Sequence, residues 1–301
     1  MKEEAVLFGE EKSLVGVLTN PDKEIGDSRS VGAILLNPGI LHRVGPGRMN
    51  VKIARALAAL GLTVLRFDFS GIGDSKIRRD NLPFDKSAVD ETQSAMNLLE
   101  SGRGIRRFIL LGGCSGARVS FATACCDRRV AGVILMNFPA DAEDDENLSP
   151  DLNRSRDSYY FMHSALFNPG SWRKLFTGRA NYRRIGGAIA FRLRRRIGRG
   201  RESSPEWDRF RGNLQLVAGW GLRPVFVCSQ GDIRLSDLRE AGGETLKKLC
   251  SQRKADLVII RHADHNFSSL FDQERLIKIT CDKVGKILQD TAKEGAPPST
   301  N

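Results

Sequence analysis

"LLGGCSGA", residues 110–117, closes the apolar run Phe108-Ile109-Leu110-Leu111 with glycines on both sides of a Cys-Ser pair. An apolar run of that length bounded by glycine reads as a buried strand. The residues from Ser115 to about Cys126 read as a helix. A strand that enters a helix through a tight turn of small residues can hold up one side chain above the edge of a parallel sheet. The flanking chain repeats the alternation. Val31–Leu36 predicts a continuous apolar strand, Met49–Leu60 a helix stopped by Gly61, Thr63–Phe67 a strand, Ser87–Leu99 a helix and Val130–Met136 a strand. Further on come a predicted strand at 224–228, a helix near 235–250, a strand at 257–260 and a last helix to about Leu288. Two alternating segments, 4–10 and 13–19, open the chain as a predicted hairpin. Continuous apolar strands separated by helices predict an α/β fold: a mostly parallel central sheet with helices on both faces.

The alternation breaks after Asn137. Residues 1–139 and 215–292 therefore read as two parts of one core, 140–214 as an insert, and 293–301 as a disordered tail. The net charge of +11 is concentrated in residues 151–211, which hold 15 Lys and Arg against five Asp and Glu. The rest of the chain is nearly neutral. Within the insert, "YRRIGGAIAFRLRRRIGRGR" (182–201) repeats Ile185, Ile189, Leu193 and Ile197 every four residues among arginines. That is the pattern of a basic amphipathic helix. No apolar run reaches membrane-spanning length, and the charged start Met1-Lys2-Glu3-Glu4 lacks the apolar stretch of a secretion signal. Six cysteines are scattered through a long chain, as in a reducing compartment, so a cytoplasmic location is expected. The vicinal pair Cys125-Cys126 reads as helix packing.

The turn at 112–117 allows two registers. In Gly112-x-Cys114-x-Gly116 the first glycine follows the last apolar residue of the strand and glycine stands on both sides. In Gly113-x-Ser115-x-Ala117 an extra glycine intervenes and alanine replaces the second glycine. Cys114 is the preferred nucleophile and Ser115 the alternative. No lysine follows at phosphate-loop spacing, which argues against a phosphate cradle. A cysteine suits this position because a helix N-terminus stabilises thiolate. It needs a base, and the base needs an orienting group. Of the four histidines, His265 in the loop after the last predicted strand can reach back over the turn. His262 lies too close to the strand end. Asp232 follows strand 224–228 and completes the chain order nucleophile, acid, histidine, with Asp141 and Asp144 as weaker candidates. The expected oxyanion donors are the N–H of Ser115 and, from Pro38-Gly39-Ile40, that of Ile40. Gly39, His42 and Arg43 are candidates to touch substrate. This chemistry needs no metal or organic cofactor.

At this point the sequence resembles the α/β-hydrolase superfamily over about residues 5–140 and 215–290. The resemblance is carried by Asn37-Pro38-Gly39-Ile40, by Arg66–Ser75 (RFDFSGIGDS), by the glycine-rich turn, by Gly231-Asp232 and by Ala263–Phe267 (ADHNF). A Gly-x-Cys-x-Gly turn is similar to that of dienelactone hydrolases and polyhydroxyalkanoate synthases. The stretch 43–75 also resembles small bacterial hydrolases associated with exosortase systems. The resemblance implies a Cys114/Asp232/His265 triad, a covalent acyl-enzyme, and an insert that forms a helical lid. It departs from the common pattern by having Asn-Pro-Gly where His-Gly usually stands. The expected activity is hydrolysis of an ester or thioester, including acyl groups on a carrier. Transfer of the acyl group to an alcohol or amine is the alternative activity. A non-catalytic binding module is a third reading, against which the complete triad argues. A basic lid fits an acyl carrier protein or the phosphates of coenzyme A, or an anionic membrane surface, or is an ordinary lid helix with a solvated face. Nucleic acid is disfavoured because the charge lies on one insert and no recognition fold is evident.

Overall fold

The structure, a computed structural model, describes residues 1–23, 30–140 and 205–295. The basic stretch 182–201, Asp141, Asp144 and residues 296–301 of the tail lie outside them. The chain divides into two compact units, Met1–Ala140 with Phe210–Asn301, and Asp141–Arg209.

The larger unit is built on one eight-stranded sheet: β1 (Lys2–Phe8), β2 (Leu14–Asn20), β3 (Val31–Leu36), β4 (Thr63–Phe67), β5 (Arg107–Gly113), β6 (Val130–Met136), β7 (Val225–Ser229) and β8 (Asp256–Ile260). Their spatial order is β1-β2-β4-β3-β5-β6-β7-β8. β2 pairs antiparallel with β1 and β4, and the remaining pairs are parallel. All six residues of β3 are buried, as a central parallel strand covered on both faces requires. The helices are α1 (Met49–Ala59), α2 (Phe84–Arg103), α3 (Ser115–Cys126), α4 (Pro205–Gly219), α5 (Ile233–Ser251) and α6 (Leu270–Gly295). No described helix is long and apolar enough to cross a membrane.

Alternate residues of each strand serve opposite faces. Leu35, Ile109, Leu111, Ile134 and Val227 join Ile53 and Leu57 of α1 and Leu276 and Val284 of α6 in one buried cluster. On the other face Phe226 of β7 meets Phe138, and Phe121 of α3 and Phe210 of α4 close the group with ring centroids 5.2–6.4 Å apart. Phe210 and Leu214 of α4 are buried. The core thus resumes before position 215, and α4 is a helix the sequence reading did not set apart from the insert.

The order of the strands places the functional edge. From β3 the chain crosses through α1 to β4 on one side, then through α2 to β5 on the other. The loops leaving β3 and β5 therefore diverge and open a crevice at the carboxyl ends of the strands. The register pairs Leu36 with Gly112, which brings the two loop entrances level.

Candidate active site

Cys114 lies between β5 and α3 with φ 50° and ψ −120°. A side chain in that backbone region costs about 1–3 kcal/mol and persists only where the surroundings impose it. The imposition is visible. The Cys114 N–H donates to the Met136 carbonyl at 2.9 Å. A Cβ on Gly112 would lie 2.2 Å from the Gly116 carbonyl carbon, and a Cβ on Gly116 would lie 2.6 Å from the Asn37 carbonyl oxygen. At Gly113 the nearest atom to such a Cβ is Pro38 Cβ at 3.8 Å. Sterically, then, the turn has the register Gly112-x-Cys114-x-Gly116. Ser115 is instead the first residue of α3.

The side chain of His265 lies beside Cys114, at the wall of the same small cavity, and each shifts the other's ionisation. On its other side His265 Nδ1 is hydrogen-bonded to Asp232 Oδ2. The buried Asp232 also caps α5, its Oδ1 accepting the Arg234 N–H at 3.1 Å. One carboxylate thus fixes both a helix start and a ring orientation, and its aim follows from the fold. His262 stands exposed in a left-handed conformation at the end of β8.

The electrostatics single out Cys114. Burial raises its thiol pKa, but the His265 hydrogen bond, the Arg234 and His265 charges and the Ser115 N–H outweigh burial and bring it below its ordinary value. Each of the other five cysteines is shifted upward by burial, Cys125 and Cys228 to about 12. His265 moves the opposite way, to about 10, because its bonds to Asp232 and Cys114 favour the imidazolium over the desolvation that opposes it. Thiolate and imidazolium stabilise each other.

The loop after β3 departs from expectation. The N–H that reaches the turn belongs to Gly39, which donates to Ser115 Oγ at 2.7 Å. Ile40, the expected donor residue, carries a side chain 91% exposed. Arg43, expected to touch substrate, is engaged by carboxylates. Its guanidinium binds Asp68 and lies 2.7 Å from Asp74, and its N–H donates to Asp68 at 2.5 Å. The Asp68 side chain is fully buried and also accepts from Asn37 and the Asp74 N–H, so Arg43 is the counter-ion of a buried carboxylate. The His42 ring accepts the Val44 N–H at 3.4 Å in an exposed setting.

The sequence reading missed Asn137. It is buried, follows β6 with φ 45°, and joins three elements. Its N–H donates to the Val227 carbonyl at 2.9 Å and its Oδ1 accepts from the Ser229 N–H at 2.8 Å. Its Nδ2 donates to the His265 carbonyl at 2.8 Å. It holds the histidine loop to the ends of β6 and β7. The available signal was a polar residue tolerant of left-handed backbone directly after an apolar strand. A small cavity of about 40 Å³ adjoins Cys114 and His265, walled by Pro38, Met49, Met136, Phe267 and Leu276. Among the described residues no cluster of His, Cys, Asp or Glu is arranged to hold a metal.

A family model described as the alpha/beta hydrolase fold matches residues 32–171. The chain has the α/β-hydrolase fold. Among solved α/β-hydrolases it is similar to a serine hydrolase homologue from Coxiella burnetii, at 18% identity and TM-score 0.54, covering 94% of this chain and 98% of that one. A Xanthomonas campestris protein described as an a/b serine hydrolase without lid aligns at 15% identity and TM-score 0.53, over 94% and 95% of the two chains. A proline iminopeptidase from Mycobacterium smegmatis aligns at 15% identity and TM-score 0.55, over 96% and 100%. At these identities the likeness is one of architecture. No curated protein sequence matches the chain.

Proposed function

We propose that this α/β-hydrolase cleaves an ester or thioester through an acyl-cysteine intermediate, with Cys114 as nucleophile, His265 as acid–base and Asp232 as its orienting group. The observation that carries the reading is the strained Cys114, backed by Gly112 and Gly116 and lying beside a histidine that Asp232 holds. The Cys114 thiolate attacks the acyl carbonyl, and a tetrahedral oxyanion forms. The N–H groups of Ser115 and Gly39 are the donors nearest to it. Before substrate binds, the Ser115 hydroxyl occupies the Gly39 donor, so the substrate carbonyl oxygen displaces it. His265 gives its proton to the departing alcohol or thiol. It then takes a proton from water, whose oxygen attacks the acyl-cysteine and releases the acid.

The apolar walls of the adjoining cavity favour an apolar acyl group. The arginines of 182–201, which lie outside the described residues, are the reason to place anionic carriers such as acyl carrier protein or coenzyme A among the thioester substrates tested.

The experiment is intact-protein mass spectrometry after treatment with a p-nitrophenyl acyl ester and, separately, with iodoacetamide. Wild type and Ser115→Ala should both trap one acyl group and one alkyl group on Cys114, and Cys114→Ala should trap neither. An acyl group on Ser115 in wild type, surviving in Cys114→Ala, would transfer the role to the serine.

A further inference from the structure

A second cavity, of about 210 Å³, lies at the opposite end of the strands from Cys114. Arg107, Val130, Val225 and Asp256, the first residues of β5, β6, β7 and β8, form part of its wall. Cys114, Asp232 and His265 all follow the other ends of β5, β7 and β8. The two cavities are separated by the length of the sheet.

The lining is unevenly charged. Arg107, Arg128, Arg223, Lys283 and Lys286 face Asp256 and Asp290. Outside residues 151–211 the chain is nearly charge-balanced, so this excess is local. Asp256 is claimed twice, by Arg223 and by Lys283 at 2.7 Å. Arg128 stacks on Trp220, its guanidinium carbon 4.2 Å from the ring centroid, and pairs with no carboxylate among the described residues. Lys286, one turn along α6 from Lys283, has no carboxylate partner among them either. The Arg223 Nε is buried and makes no hydrogen bond. Leaving Arg107 and Asp290 aside, four cations share one carboxylate. A monocarboxylate ligand would leave two of those positive charges uncompensated, whereas a dianion leaves one. Two of the cations are guanidinium groups, whose planar forks match phosphate oxygens.

We propose that this cavity binds a phosphate dianion, free or as a phosphomonoester, remote from the hydrolytic site. Arg128 and Lys286 supply charge, and Trp220 carries the Arg128 guanidinium at the rim. The proposal is independent of which residue is the nucleophile.

Two arms test it. In the first, wild type, Arg128→Glu/Lys286→Glu and Trp220→Phe are titrated with inorganic phosphate and pyrophosphate at constant ionic strength, with chloride as the reference anion. Tryptophan emission and the melting temperature are the readouts. Wild type should bind saturably, with emission changing through Trp220. The charge-reversed pair should bind at least tenfold more weakly, with hydrolysis of a p-nitrophenyl ester unchanged. Both reversed residues are exposed, and a single Lys286→Gln variant, which should weaken binding severalfold, guards against misfolding of the pair. In the second arm, wild type and the pair are sedimented with phosphatidylcholine vesicles with and without phosphatidic acid. Retention of wild type alone would make the phosphomonoester a lipid headgroup. Retention of neither, with binding in the first arm, would make it a soluble one. Equal binding of phosphate by wild type, Lys286→Gln and the charge-reversed pair, or no response beyond that to chloride, would overturn the proposal.

Discussion

The three glycines around Cys114 give the sharpest test, because each answers differently to one added methyl group. A methyl at Gly116 would stand 2.6 Å from the Asn37 carbonyl and 2.8 Å from that of Leu36. A methyl at Gly112 would stand 2.2 Å from the Gly116 carbonyl carbon. All these neighbours are backbone, which cannot swing aside as a flexible side chain can. Overpacking of this kind costs about 1–3 kcal/mol. At roughly 2–4 °C per kcal/mol for a domain of this size, Gly112→Ala and Gly116→Ala should each lower the melting temperature by about 2–12 °C. The same push moves Cys114, and if it is the nucleophile proposed above a misplacement of about 1 Å costs on the order of 100-fold in rate. Gly113→Ala meets only Pro38 Cβ at 3.8 Å and needs no left-handed backbone. It should change stability by less than about 0.5 kcal/mol and leave ester hydrolysis within a few-fold. The assay is thermal unfolding alongside steady-state hydrolysis of a p-nitrophenyl ester. If Gly113→Ala proves as damaging as Gly116→Ala while Gly112→Ala is tolerated, the turn has the Ser115 register and the steric argument is wrong.

Removing the imidazole in His265→Ala leaves burial less opposed, so the Cys114 thiol pKa should rise. Alkylation by iodoacetamide at pH 7 should then slow, by at most about tenfold for each unit of rise because the more basic thiolate is also more nucleophilic, and an unchanged pH–rate curve would refute the pairing. His265 holds its proton up to about 10, above the ordinary imidazole value of 6.5. Its contribution to stability is therefore complete below about pH 6.5 and is lost as pH climbs through 10, so the melting-temperature gap between wild type and His265→Gln should narrow over that interval. Asp68→Ala leaves the Arg43 guanidinium, 19% exposed, with Asp74 alone and removes the acceptor shared by Asn37 and the Arg43 and Asp74 N–H groups, so it should cost about 3–5 kcal/mol in urea unfolding; a loss below 1 kcal/mol would show that Asp74 and solvent compensate.

The sheet was legible because its inner strands are apolar from end to end. Val31–Leu36 and Phe108–Leu111 admit little but burial on both faces. Their neighbours in space follow from short crossovers. Element ends were less legible: α2 begins at Phe84 after Pro83, three residues ahead of the apolar pattern, and α6 runs on to Gly295 past its last apolar contacts. The helix α4 was hidden beside the basic insert although Phe210, Leu214, Val217 and Ala218 keep helical spacing, because charge drew the boundary in the wrong place. In the site, the meeting of Cys114, Asp232 and His265 could be anticipated because each follows the end of a strand. Roles that depend on where a backbone N–H points could not. Whether Gly39 or Ile40 faces the turn is set by the bend after Pro38, and Asn137 gains its role only once β6, β7 and the histidine loop are brought together.

The rings of Phe138 and Phe210 lie face to face at 5.2 Å. Seventy-one positions separate these two residues in the sequence, and the described chain on either side of them meets at this single aromatic clasp. Doubling such a detour costs only about 0.6 kcal/mol in closure entropy. Appendages can be lengthened, shortened or exchanged at that clasp across a lineage, or by an engineer grafting one scaffold's cap onto another, while the framework keeps its own foldedness.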